Sequence, residues 1–262
     1  MPFRLRSEWH GFRDGLRRLD TQATVVLTAA VVLVFLQLQF GTRSFFADHV
    51  AADPADARGL PGWAWWFGMQ GVLGFLIPVL ILTVGFRRRP SEIGLGLGDW
   101  KLAGVLALLY AVPVVIGTWV LSNGADFQAH YPHLDAAQTD WGVFLAYEAL
   151  FLFYWIGWEY LWRGFVLFGT APAFGLGAIV VQMVPFAILH ADKPAAEAYL
   201  SILGGLALGA LVWRCRSFWI AVPIHAFQML ALDFWCSLRA RSGAEGIGLD
   251  ALAEALRTGL GG

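Results

Sequence analysis

Six acidic, basic or imidazole side chains interrupt a sequence that is otherwise apolar over long stretches. Glu148, Glu159 and Arg163 fall in one apolar run, His190 closes the next, and His225 and Asp233 lie inside the last. Burying a charge at mid-membrane costs about 2.5 to 3.5 kcal/mol on insertion scales, so such residues face a bundle interior or a wet cavity and mark function by default. Carboxylates and imidazoles held together can pass a proton to and from water, which is general acid–base chemistry. Glu159 and Arg163 are four residues apart, which puts both on one helix face. They read either as a buried structural ion pair, costly to break, or as part of a site. His190 stands four residues after Phe186 at the end of its run, a place that suits an interfacial histidine as well as a reactive one. His225 lies well inside its run, with Gln228 and Asp233 further along, and this favours a site. Glu197 follows Pro194 at the start of another run. It reads as a first-turn carboxylate complementing the helix dipole, or as a group reaching a cavity rim.

The elements that must carry these residues are apolar blocks near 21–40, 63–86, 102–121, 142–168, 173–190, 197–213 and 217–236. A helix of about 20 apolar residues crosses a hydrocarbon core of about 30 Å. The expected fold is therefore all-α, a polytopic transmembrane helix bundle of about seven spans, or eight if a short re-entrant segment is added. At 1.5 Å per residue from the turns near 171 and 215, Glu159 lies about 18 Å deep, His225 about 15 Å and His190 about 22 to 28 Å. A common layer follows for these three, whereas Glu148 lies about 16 Å from Glu159 along the axis and belongs to another shell, toward a cavity mouth. Gly205 and Gly209 allow close helix approach, read as packing within one bundle rather than a dimer motif. Trp63, Trp65, Trp66, Trp100 and Trp141 fall at block ends and read as interfacial anchors.

Composition agrees: 58% of the 262 residues are hydrophobic and 14% charged, against about 25% charged in a soluble domain, and mean hydropathy is +0.61. The formal net charge of −1 offers no basic surface for nucleic acid, so the expected partners are lipids and membrane-borne peptides or proteins. The chain divides into a basic N-terminal segment (1–20), a transmembrane domain (21–236) and a C-terminal tail (237–262). Arg4, Arg6, Arg13, Arg17 and Arg18 precede the first block, and Arg87, Arg88, Arg89, Lys101, Arg214 and Arg216 fall in connections on the same side. By the bias of Lys and Arg toward the cytoplasm, the N-terminus is cytoplasmic. The opposite loops hold Arg43, Arg58 and Lys193, with Asp126, Asp135 and Asp140 in a loop lacking Lys and Arg. Seven spans put the tail on that opposite side despite Arg239, Arg241 and Arg257. Cys215 and Cys236 bracket the last block, roughly 30 Å apart if helical, and cannot pair.

Three motifs on successive blocks resemble those of the CPBP intramembrane proteases, which include CAAX prenyl endopeptidases and bacteriocin-processing or immunity (Abi) proteins. The first motif, E-E-x-x-x-R followed by Gly, corresponds to Trp158-Glu159-Tyr160-Leu161-Trp162-Arg163-Gly164. The second, F-x-x-x-H, matches Phe186-Ala187-Ile188-Leu189-His190. The third, H-x-x-x-N, corresponds to His225-Ala226-Phe227-Gln228-Met229 after Ser217-Phe218-Trp219. The likeness spans residues 158–229.

This resemblance implies an intramembrane endopeptidase of the bacterial plasma membrane, a peptidase often labelled metalloprotease. In it a glutamate and a histidine activate water, while a second histidine and an asparagine steady the oxyanion. Carried onto this chain, Glu159, His190 and His225 form the reactive set, supported by Arg163, Gln228 and Glu197. The substrate would be a membrane-borne peptide, prenylated or not. No metal is assigned; zinc is open, with Glu159, His190 and His225 as ligands if one is bound, since no H-E-x-x-H helix decides the matter. Two positions depart from the pattern. Trp158 stands where the family has its water-activating glutamate, and Met229 where it has asparagine. Successive helical residues point about 100° apart, so Glu159 does not simply replace its neighbour. The alternative reading is a non-cleaving relative that binds membrane peptides or partner proteins. A proton-coupled transporter would want internal pseudo-symmetry, and none is visible.

Overall fold

The computed structural model describes residues 5–17 and 19–261, and these are helical or connecting, without a strand among them. Of the N-terminal arginines, Arg4 and Arg18 lie outside the described residues. The helices are α1 (Leu5–Arg17), α2 (Thr21–Phe40), α3 (Arg43–His49), α4 (Leu60–Gly85), α5 (Trp100–Leu121), α6 (Ala125–His130) and α7 (Asp135–Thr139). They continue as α8 (141–174), α9 (Ala178–Ile188), α10 (Ala195–Cys215), α11 (Ala221–Ser242) and α12 (Leu249–Gly259). Aspartates start three of the long helices: Asp20 accepts from the Ala23 amide at 2.7 Å, Asp99 from Leu102 at 3.3 Å and Asp140 from Val143 at 2.9 Å. Each satisfies an amide that the first helical turn leaves open.

Among the described residues, six helical stretches are long and apolar enough to cross a membrane. The difference from seven blocks lies in 141–188, one 48-residue helical stretch that Gly175, at φ +53°, breaks into α8 and α9. Only glycine adopts such a conformation freely. The two arms pack on each other, and α9 lies between α8 and α10. With 11 residues, α9 is about 16 Å long, so the expected fifth span is a half-length one and the connection after it lies within the thickness of the bundle.

α8 is the central helix, packed on α2, α4, α9 and α11. Its crossing with α4 is a backbone contact. A Cβ on Gly157 would strike the carbonyl of Gln70, and one on Gly74 would strike the carbonyl of Gly157. In the middle of α8, Tyr160–Val166 widens into a π-helical stretch that is buried throughout. Gly205 and Gly209 face Met183, Phe186 and Gln182 of α9, which is packing inside the bundle as expected. Cys215 and Cys236 are free and buried.

The three basic connections share one face. The Asp99 amide donates to the Cys215 carbonyl at 2.9 Å, the Phe218 amide to Gly94 at 2.9 Å and Arg88 Nε to Gln22 at 2.7 Å. The tail is structured rather than loose. α12 packs back on α11, and buried Arg239 donates to Ser122, Asn123 and the carbonyls of Trp119, Ala244 and Gly246. Arg241 reaches the carbonyls of Gly259 and Thr139. Two of the tail arginines are therefore internal fasteners, and they sit at the α5–α8 end of the bundle, opposite the basic connections.

Candidate active site

α8 and α11 meet at Glu159. One carboxylate oxygen, Oε1, accepts from His225 Nδ1 at 2.6 Å and from Arg163 Nη1 at 3.1 Å, and the Glu159 and Arg163 side chains have 0% exposure. The i, i+4 ion pair expected on α8 forms although the helix widens just after Glu159. Arg163 also lies over the Phe186 ring, 4.0 Å from its centroid, a cation–π contact strengthened by burial. The His225 ring packs on Trp155 at 4.2 Å between centroids. Because its Nδ1 faces a carboxylate, which only accepts, His225 carries its proton there and turns Nε2 away from Glu159.

His190 arrives from the end of α9. Its Nδ1 is 2.7 Å from the Phe186 carbonyl, so this nitrogen is the donor and Nε2 keeps its lone pair. The Phe186 ring packs near both histidines, its centroid 4.5 Å from that of His190 and 6.1 Å from that of His225. Both histidines line a cavity of about 470 Å³ whose wall also includes Trp158, Met229, Glu197, Lys193 and Tyr154.

The expected site residues thus separate. Glu159, Arg163 and His225 form one contact network, and His190 shares the cavity with His225. Glu159 and Arg163 have no wall on it: as the 100° argument requires, the cavity-facing position is Trp158. Gln228 lies elsewhere, its Oε1 accepting from Tyr110 on α5 at 2.7 Å, because it is one residue round the helix from Met229, which does line the cavity. Glu197 is both a first-turn residue of α10 and a cavity residue, accepting from the Tyr131 hydroxyl at 2.6 Å. Glu148 is not at the cavity mouth; it neighbours the buried Asp233 carboxylate across the α8–α11 contact.

Several wall residues escaped the sequence reading. The 122–140 connection folds into α6 and α7 and delivers His130, Tyr131 and His133 to the cavity. Lys193 Nζ reaches His130 Nε2 at 3.1 Å and His133 Nε2 at 3.2 Å. An ammonium only donates, so both imidazoles accept as neutral rings. Burial holds the His133 ring well below the ordinary histidine value and lowers His130, with the Lys193 charge adding to both. Burial lowers Lys193 as well. Trp63 and Trp66 are corrected too: both line the cavity, and buried Trp63 stacks on His133 beneath Arg43. Trp100, 64% exposed, keeps the position of an anchor. The missed signal was the close pair of histidines flanking Tyr131-Pro132 in a loop free of Lys and Arg.

Zinc fits this arrangement poorly. Among the described residues no three His, Cys, Asp or Glu side chains converge on one point, and Oε1 of Glu159 is occupied by Arg163 and His225.

A helical bundle with two imidazoles on its cavity wall, one of them held by a buried carboxylate behind it, defines a class, and comparison with known families narrows it. Residues 140–231 match the family model described as type II CAAX prenyl endopeptidase Rce1-like. That segment holds all three motifs and supports membership of the CPBP/CAAX protease family, a family of intramembrane peptidases. No curated protein and no solved structure matches the chain.

Proposed function

We propose that the protein is an intramembrane endopeptidase that hydrolyses a peptide bond in a membrane-borne peptide or protein, prenylated substrates included. The observation that carries this reading is the 2.6 Å contact between His225 Nδ1 and the fully buried Glu159. With its Nδ1 proton fixed on Glu159, His225 offers Nε2 to the cavity as general base. It takes a proton from water as the oxygen attacks the scissile carbonyl, and returns it to the leaving amine. Glu159, held by Arg163, stabilises the imidazolium that forms and acts without touching water. The His190 lone pair accepts from the same water and orients it. In this chain the histidine replaces the family's first glutamate as base. The protein would lie in a bacterial plasma membrane with its N-terminus in the cytoplasm.

A second reading rests on Trp158 and Met229. An indole and a thioether occupy the wall where a carboxylate and an amide would act, which suits a cavity that binds a peptide without cutting it. The test is cleavage of prenylated and unprenylated peptides by protein in nanodiscs, comparing wild type with Glu159→Gln and His225→Ala. Loss in both variants by 10²-fold or more, with wild-type cleavage unaffected by a chelator, supports the peptidase. Retained peptide binding without any cleavage supports the second reading instead.

A further inference from the structure

A second pocket, of about 280 Å³, opens on the face that carries the basic connections. Arg88 and Arg216 supply its charge and Ile93 and Phe168 its apolar floor, with Gln22 and Glu92 at the wall. Arg88 is held in place by a relay. Its Nε donates to Gln22 Oε1 at 2.7 Å, and buried Gln22 donates in turn to the Gly169 carbonyl at 2.7 Å. Arg88 donates to no other described acceptor through its two terminal nitrogens. Arg216 rests over Phe168, 5.3 Å from the ring centroid, and over Trp213 at 5.8 Å, and has no hydrogen-bond acceptor among the described residues. The carboxylate at the wall, Glu92, is engaged by the Arg89 amide at 2.7 Å.

The backbone adds an independent sign. Arg216 closes α10 at φ +56°, where glycine is the usual residue. Such conformations are costly for a side chain and cluster at ligand sites. Placing an arginine there carries a guanidinium to a pocket whose other guanidinium is already oriented. Two guanidiniums with free donors suit phosphate oxygens. An apolar floor at the ends of membrane helices suits the first part of an acyl chain, and basic pockets between spans are where anionic headgroups bind.

We propose that this pocket binds the phosphate of an anionic phospholipid. Inorganic phosphate shares the charge chemistry but would leave Ile93 and Phe168 without a partner. The experiment is native mass spectrometry and thermal melting of delipidated full-length protein, titrated with short-chain phosphatidylglycerol, phosphatidylcholine of equal chain length, or inorganic phosphate. Phosphatidylglycerol is expected to bind at one molecule per chain, at least tenfold tighter than the other two. Arg216→Gly should weaken it at least tenfold without lowering the lipid-free melting temperature, because glycine relieves the backbone, and Arg88→Ala should weaken it similarly. Arg89→Ala, on the same face but off the pocket, should stay within twofold. Unchanged binding in Arg216→Gly, equal binding of phosphatidylcholine, or phosphate binding as tightly as the lipid would each overturn the proposal.

Discussion

At the scale of single residues, the arrangement around Glu159 divides labour between a residue that sees the cavity and one that does not. Trp158, though buried, lines the cavity where a water-activating carboxylate would stand, packed between Tyr154, Trp162, Phe186 and His190. If His225 is the base, restoring a carboxylate at position 158 adds a second one beside an intact dyad. Trp158→Glu is therefore expected to raise cleavage about tenfold or more, measured as kcat/KM on a membrane peptide, at the expense of some packing. The histidines of the α6 loop give a pH prediction. Their folded values lie below the unfolded value of about 6.5, so the unfolded chain binds more protons and stability rises with pH. The stabilisation is present above about pH 6.5 and is lost as the solution is acidified through the lowered folded values of His133 and His130. Melting temperature should fall between pH 7 and pH 5, and His133→Phe, which keeps a ring for Trp63, should flatten that slope.

At the scale of elements, the site depends on how closely α8 approaches α4. Gly157 immediately precedes Trp158, so the α4–α8 crossing sets which way Trp158 and Glu159 point. Gly157→Ala places a methyl group against a carbonyl of the main chain, which cannot rotate away. Overpacking of this kind costs about 1 to 3 kcal/mol, visible as a lower melting temperature together with weaker cleavage. Much of this level was readable from the sequence. Apolar blocks located the spans, and the i, i+4 spacing of Glu159 and Arg163 located their shared face. The depth estimate put Glu159 and His225 in one layer, and they are in direct contact. The half-length α9 was not readable, because Gly175 sits inside an apolar run that continues past it and hydropathy does not register a left-handed residue. The polar wall from the α6 loop was hidden for a related reason: periodicity and hydropathy describe spans, whereas a loop shows its role only once folded against them.

At the scale of the whole molecule, the C-terminal tail locks the end of the bundle at which α5 finishes and α8 begins. Arg239 lies over the Trp119 ring at 3.7 Å and donates to Ser122 and Asn123 of the α5–α6 turn. Arg239→Gln leaves several buried acceptors short of a charged donor, each such hydrogen bond contributing about 1.5 to 3 kcal/mol. It should lower the melting temperature and open the 243–248 connection to protease, while Arg257→Gln, whose partner Glu254 is on the surface, should do neither. The charge bias of the tail misleads a topology reading for the same reason: an arginine satisfied inside the protein no longer reports on which side of the membrane it lies.

α9 has one more consequence, and it concerns the lipid rather than the protein. Val180, Val184 and Ile188 give it an exposed apolar face, yet at about 16 Å it covers roughly half of a hydrocarbon core of about 30 Å. Thinning is one way in which lipid meets hydrophobic mismatch, and a bilayer that responded so beside α9 would dip toward the connection that carries His190. A substrate helix approaching along that flank would lose its hydrocarbon surroundings before reaching the histidines, and its backbone would meet water early enough to unwind.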